Sequence, residues 1–211
     1  RGHVRRARLD LAGSFQRVAF FGKPYFAGYP ESSFTEEVSS LEKGELREVL
    51  MDDDITQTLS LNKSLTLQQG YVLVAQEISE KKGTVNFLLF KDGLPVNSSV
   101  VSIDESFVYK IDDLPVILVH LTNAMLGAGE GLAEVEGVFQ ISEQPNIRLF
   151  EGGMIGEMKL TDYSQSGIEI ENERSINLKK DSIVSLIPGL ELVALDTPEL
   201  IYYPLGWIYD Y

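Results

Sequence analysis

From Thr56 onward, apolar and polar residues alternate with a period of two, and the alternation resets at short polar turns. In TLSLNKSLTLQQGYVLVAQEIS the apolar set is Leu59, Leu61, Leu65, Leu67, Tyr71, Leu73 and, after one phase shift, Ile78. Asn62-Lys63 and Gln68-Gln69-Gly70 supply the turns. Successive side chains of a strand point to opposite faces, so this pattern predicts strands with one face buried and one wet. TVNFLLF follows and closes at Lys91-Asp92-Gly93, where an Asp-Gly pair between apolar runs predicts a tight hairpin. SSVVSI, SFVYKI, PVILVHLTNAML and AEVEGVFQIS continue the style, giving about seven strands in some 90 residues.

The C-terminal third repeats the pattern with shorter runs: IRLF, GEMKLTD, GIEIEN, INLKK, SIVSLI, LELVALD and LIYYPL. Ile168, Ile170, Ile176 and Leu178 alternate with polar neighbours. Before Thr56 the pattern is weaker. RVAFFGKPYFAGY, residues 17–29, reads as a short strand and bend; Phe34, Val38 and Leu41 fall at helical spacing but Gly44 interrupts, leaving at most a helical turn before a strand at Leu46–Met51. No gap between strands holds the 10- to 15-residue helices of a parallel βαβ unit, so the predicted class is all-β: two connected antiparallel β-sandwiches.

Charge narrows the partners. The net charge is −14, yet Arg1, Arg5, Arg6, Arg8, Arg17 and Lys23 against Asp10 leave the first 24 residues at about +5 and the remainder near −19. An acidic surface repels phosphate backbones and anionic lipid, which argues against nucleic acid and against membrane binding through a basic patch. The arginine-rich start, residues 1–17, predicts a disordered or non-native basic tail. VILVHL is strand-length and far short of a bilayer span. Cysteine is absent, which rules out disulfides and thiolate metal sites.

Candidate chemistry is sparse. His3 and His120 are the only histidines; a Ser-His-Asp triad would need His120, which sits in a buried-looking strand, and G-x-S-x-G is missing. Gly127-Ala128-Gly129-Glu130-Gly131 lies between strands and carries a glutamate where a phosphate needs positive potential, so it reads as a loop. Asp52-Asp53-Asp54, Asp112-Asp113 and Glu169-Ile170-Glu171 are the densest acids and lack calcium-loop spacing; they read as solvated loops with weak surface cation binding at most. Asn62-Lys63-Ser64 and Asn97-Ser98-Ser99 match the N-glycosylation pattern, and both fall at predicted turns. Tyr202, Tyr203, Trp207, Tyr209 and Tyr211 crowd the end of the chain, where ELIYYPLGW reads as a last strand whose rings plug a sandwich. Catalytic, cofactor and metal sites are therefore all expected to be absent, and the chain is expected not to be an enzyme.

In order along the chain, YFAGY, Met51-Asp52-Asp53-Asp54, SLTLQQGYVLVAQEIS, FKDGLPV, VFQISE, GIEIENERSINLKKDSIVSLIPGLELVA and ELIYYPL resemble the tandemly duplicated domain of S-layer proteins of Methanosarcina-type methanogenic archaea. The resemblance runs from about residue 18 to about residue 206. Its most specific pieces are L-x-L-x-x-G-Y-x-L at Leu65–Leu73, K-D-G at Lys91–Gly93 and Y-Y-P at Tyr202–Pro204, which are strand and turn signatures. It implies a structural component of a porous, acidic, glycosylated sheet at the extracellular cell surface. The partners it implies are other copies in a two-dimensional lattice and a neighbouring tandem module. Any membrane contact would run through a region absent from this chain, which is expected to be an excised fragment or a shorter relative.

Within such a module a nested arrangement is expected: a continuous sandwich over residues 56–144, inserted between the halves of a second one formed by residues 18–55 and 145–211. The N-terminal segment has too few strands to close a core alone, and the C-terminal group needs an edge partner. An extracellular adhesion or carbohydrate-binding β-sandwich is the alternative function; it would present exposed aromatic rings on one face.

Overall fold

The computed structural model describes residues 2–9, 13–20, 23–31, 37–126, 131–187 and 190–206. The chain begins with β1 (Gly2–Leu9), β2 (Gly13–Phe20), β3 (Lys23–Tyr29), β4 (Val38–Ser39), β5 (Glu45–Asp53), β6 (Gln57–Ser60) and β7 (Ser64–Thr66). The middle holds β8 (Tyr71–Ser79), β9 (Thr84–Lys91), β10 (Leu94–Ser102), β11 (Ser106–Ile111), β12 (Leu114–Leu126) and β13 (Gly131–Ile141). The last part supplies β14 (Ile147–Arg148), β15 (Met154–Ile155), β16 (Met158–Ser164), β17 (Gly167–Asn172), β18 (Ser182–Ile187), β19 (Leu190–Ala194) and β20 (Tyr202–Gly206). Among the described residues there is no helix, and the strand pairs are antiparallel. The expected all-β class is what forms.

The strands make three sheets. The largest runs β11-β12-β13-β5-β3-β2-β1-β17-β16-β15, with β4, β6 and β14 attached to its flanks. A four-stranded sheet, β10-β9-β8-β7, and a three-stranded sheet, β18-β19-β20, complete the architecture.

Two hydrophobic cores lie against the large sheet. The first joins Leu65, Tyr71, Leu73, Phe87 and Leu89 of the four-stranded sheet to Phe107, Ile117, Val119, Val135 and Phe139, and takes in Phe15, Phe26 and Tyr29. The second gathers Val18, Tyr25, Ala27, Leu41 and Leu46 with Leu149, Met158, Leu160, Ile168, Leu186 and Ile187. Strand β3 serves both, because consecutive residues face opposite ways: Phe26 enters the first core while Tyr25 and Ala27 enter the second. That explains why Tyr25 through Pro30 are buried without alternation. Tyr29 fixes the seam, its ring tilted 54° to that of Phe26 with centroids 4.5 Å apart and its hydroxyl donating to the Pro115 carbonyl at 2.9 Å. Gly28 lets β4 approach, since a Cβ there would sit 2.3 Å from the Val38 carbonyl oxygen.

Three expectations are corrected. Of the expected disordered tail, residues 1–17, the described residues 2–9 and 13–17 are strand: β1 and β2 pair from Val4↔Val18 to Leu9↔Gly13, β1 continues onto β17, and Phe15 is fully buried. Arg5, Arg6 and Arg8 dilute the apolar signal of β1, and Phe15 and Val18, three apart on β2, enter different cores, so no period of two is visible. Residues 176–180 of INLKK form no strand; Ile176 packs against the second core from an irregular segment. Val38–Leu41 form a short bridge to β3 and a turn, not a helical turn, while Phe34 lies outside the described residues.

Candidate functional site

Each chemically suggestive group resolves into a structural role. His120 on β12 lies opposite Ser106 of β11 and Glu136 of β13 and is almost fully buried. Its Nδ1 is 3.1 Å from the Ser106 hydroxyl. Burial pushes the imidazole below its usual pKa, with Asp104 and Glu136 opposing. The serine occupies the ring nitrogen that a catalytic triad gives to its carboxylate, so this is a buried structural pair. His3 stands in β1 opposite Gly167, far along the fold from His120.

The acidic groups follow from turn chemistry. Asp92, Asp104, Asp112, Asp113 and Asp181 hold left-handed backbone with φ of 50°, 66°, 48°, 64° and 51°, and all five are exposed. Aspartate tolerates that conformation better than most residues, so the same substitution that closes a hairpin puts a carboxylate into solvent. Asp53 instead caps its own turn, accepting from the Ile55 amide at 2.9 Å. Glu169 and Glu171 sit on β17, with Ile168 between the strand and the second core. Among the described residues no three His, Asp or Glu side chains converge as a metal site.

The sequon asparagines differ. Asn62 is exposed in the turn between β6 and β7, with φ of 59°. Asn97 is not at a turn: it lies within β10 opposite the fully buried Leu89, just after a register shift, and is itself half-buried. The hairpin before it needs only Asp92-Gly93, so β10 starts earlier than the SSVVSI run suggested. Residues 127–130 of the glycine cluster lie outside the described residues; they join the ends of the β12–β13 hairpin, Leu126 and Gly131.

Two polar clusters escaped the sequence reading. Gln140 is fully buried and clamps the Gln68 backbone, while Lys91 pairs with Glu143 and lies 4.4 Å over the Tyr71 ring. They bring the motifs at Leu65–Leu73 and Lys91–Gly93 together: the Asp92 amide donates to the Gly70 carbonyl at 3.0 Å. The other cluster is at the crossing from β13 to β14. Arg47 donates to the carbonyls of Ser142, at 3.1 Å, and Glu143, and Asn146 accepts from the Glu48 amide at 2.7 Å. Partners so far apart in sequence leave no local signal.

Tyr202 and Tyr203 do not plug a sandwich. Tyr202 and Tyr203 are 56% and 43% exposed, because β20 is an edge strand paired with β19 beyond the second core. As neighbours on a strand they point to opposite faces and form no common platform. Trp207, Tyr209 and Tyr211 lie outside the described residues.

With no converging catalytic or ligand-binding constellation among the described residues, relationship to known proteins decides the reading. A family model described as "S-layer protein" matches residues 7–196. The chain belongs to the S-layer protein family. It is similar to the Major S-layer protein of Methanosarcina mazei, 24% identical over 171 residues that make up 75% of this chain and 26% of that protein. The Major S-layer protein of Methanosarcina barkeri is 25% identical over 171 residues, 75% of this chain and 26% of its own length. That of Methanosarcina acetivorans is 23% identical over 201 residues, 89% of this chain and 28% of its own. The chain thus spans about a quarter of the length of these relatives. The S-layer match begins at residue 7, so it takes in β2 and the end of β1. Membership makes the chain part of an S-layer protein, a protein of the cell-surface layer.

Proposed function

We propose that this chain is one module of a sheet-forming surface protein, in which copies meet laterally and acidic surface lines the openings between them. The S-layer match over residues 7–196 carries this reading. A net charge of −14, with aspartates at exposed turn tips, supports the acidic openings. Negative potential in a narrow opening favours cations and small neutral solutes over anions, and the preference fades as salt screens it. Catalysis and a dedicated cofactor have no part in the reading; cations bind weakly and diffusely.

The two cores support a nested division into residues 56–144 and residues 18–55 with 145–211, with Phe15 of β2 added to the first core and β1 paired to β17. The exposed turn supports Asn62 over Asn97 as the glycan acceptor. In the intact protein, a neighbouring module of the same kind is a further partner.

The test is electron microscopy of the chain concentrated on a lipid monolayer, with and without Ca²⁺. Ordered two-dimensional arrays are the expected result. Dispersed monomers under every condition would count against the reading.

A further inference from the structure

We infer that the free edge of β10 pairs with β10 of a second copy of this chain, antiparallel about a two-fold axis at Ser99. The inference rests on the sheet-forming reading above and names one contact through which copies meet.

The strands that end the three sheets are β7, β10, β11, β15, β18 and β20. Five of them are blunted against a further strand. β7 and β15 have only three and two residues, β11 carries Lys110 beside a register shift, the Leu186 carbonyl of β18 already accepts from the Glu157 amide, and β20 carries Pro204. β10 runs nine residues, LPVNSSVVS, without a charged side chain.

Register shows which of its groups face outward. Ile103 donates its amide to the Gly83 carbonyl at 2.9 Å, so bonded pairs recur at Val101↔Val85, Ser99↔Phe87 and Asn97↔Leu89. The amides and carbonyls of Ser98, Val100 and Ser102 therefore point to the free edge. Glu105 takes both groups of Ser102: its carboxylate accepts from the Ser102 amide at 3.1 Å, and its own amide donates to the Ser102 carbonyl at 3.0 Å. At the other end Pro95, opposite Phe90, offers no hydrogen. Among the described residues nothing takes the main-chain groups of Ser98 and Val100, and both residues are exposed.

That remainder selects its occupant. Two outward residues, two apart, each with one donor and one acceptor, complement themselves when the strand meets its own copy about Ser99. Ser98 then opposes Val100 of the second copy, Val100 opposes its Ser98, each pair exchanges two bonds, and no outward group between Pro95 and Ser102 is left over on this regular stretch. A longer partner strand gains nothing, because Glu105 and Pro95 stop the edge on either side. Side chains agree: Val100 is 65% exposed on the face away from buried Val101, and across the axis it lies diagonal to its own counterpart, so apolar meets apolar. The pairing joins two four-stranded sheets into one. It is small beside the roughly 800 Å² per partner of a free-standing pair, so it holds at the local concentration of a packed layer and is read by trapping.

The chain has no cysteine, so a single introduced thiol reports the register. Across the axis Ser99 faces its counterpart as a non-hydrogen-bonded pair with Cα atoms about 4.5 Å apart, inside the roughly 4.4–6.8 Å window of a disulfide. The full chain carrying Ser99→Cys is concentrated on a lipid monolayer and treated with a mild oxidant, beside Ile55→Cys at a turn residue that is 69% exposed. Ser99→Cys is expected to form disulfide-linked dimers at least about tenfold faster than Ile55→Cys, although its position is less exposed. Adding Val100→Pro removes an outward amide and no ladder bond, and should bring the rate down to that of the control. Adding Val100→Lys should do the same by placing like charges side by side, and unchanged thermal midpoints confirm that the variants fold. Arrays in which Ser99→Cys links no faster than Ile55→Cys, or linking that both Val100 changes leave untouched, would overturn the inference and leave the sheet-forming reading intact, with copies meeting elsewhere or another segment of a longer parent chain on this edge. Absence of both arrays and dimers would remove both.

Discussion

Gln140 and Gln68 exchange two hydrogen bonds: the Gln68 amide donates to the Gln140 side-chain oxygen at 2.8 Å, and the Gln140 side-chain nitrogen donates to the Gln68 carbonyl at 3.0 Å. A fully buried amide on β13 thereby replaces the missing strand partner of the turn before β8 and ties the four-stranded sheet to the large one. Gln140→Leu keeps the volume but leaves the Gln68 amide unpaired, and the Gln68 carbonyl keeps only the Tyr71 amide at 3.2 Å. It is expected to lower stability by about 1–3 kcal/mol, measured by urea denaturation; a loss no larger than that of an exposed site would refute the clamp.

Lys91 holds the same corner electrostatically. Its ammonium contacts Glu143 and the Gln69 carbonyl and lies over Tyr71. Lys91→Met keeps the aliphatic stem and is expected to cost about 1–2 kcal/mol, with a difference from wild type that shrinks in high salt. A salt-independent difference would mean that packing, not charge, dominates.

Gly28 and Gly93 separate steric approach from backbone conformation. Gly28→Ala drives a Cβ against the Val38 carbonyl and should cost about 2–4 kcal/mol. Gly93, with φ of 83° and open space around it, should lose only about 1–2 kcal/mol as alanine. Equal losses in thermal unfolding would contradict the close packing of β4 on β3.

His120 makes stability depend on pH. Its folded pKa lies below the ordinary value of 6.5, so between the two values the unfolded chain binds more protons. This contribution is fully present above about pH 6.5 and declines as pH falls from there toward the folded pKa. His120→Gln should flatten that part of the stability profile relative to wild type. Identical slopes in the two proteins would show that the imidazole is not desolvated.

The sequence disclosed what is local. Asp92-Gly93 reads as a tight hairpin and adopts φ of 50° and 83°, with Leu94 paired to Lys91. The alternation of Leu65, Leu67, Tyr71 and Leu73 reads as one buried face, and all four are buried. What it concealed depends on distant partners. Arginines hid the strand character of residues 2–9, whose register is set by β2 and β17. Alternation at Ile176 and Leu178 promised a strand, yet no neighbour offers a ladder. The apolar run at Tyr202 and Tyr203 implied burial, but an edge strand leaves both rings in solvent. Candidate catalytic groups were legible as weak because they are few; Gln140, Lys91 and Arg47 were not legible, because their partners lie up to 96 residues away.

The most direct test of the central claim is electron cryotomography, with subtomogram averaging, of intact cells that make the protein to which this chain belongs. The account predicts a regular density outside the membrane into which the all-β module fits at every repeat. Tagged protein dispersed over the surface without periodicity, or confined inside the cell, would contradict it.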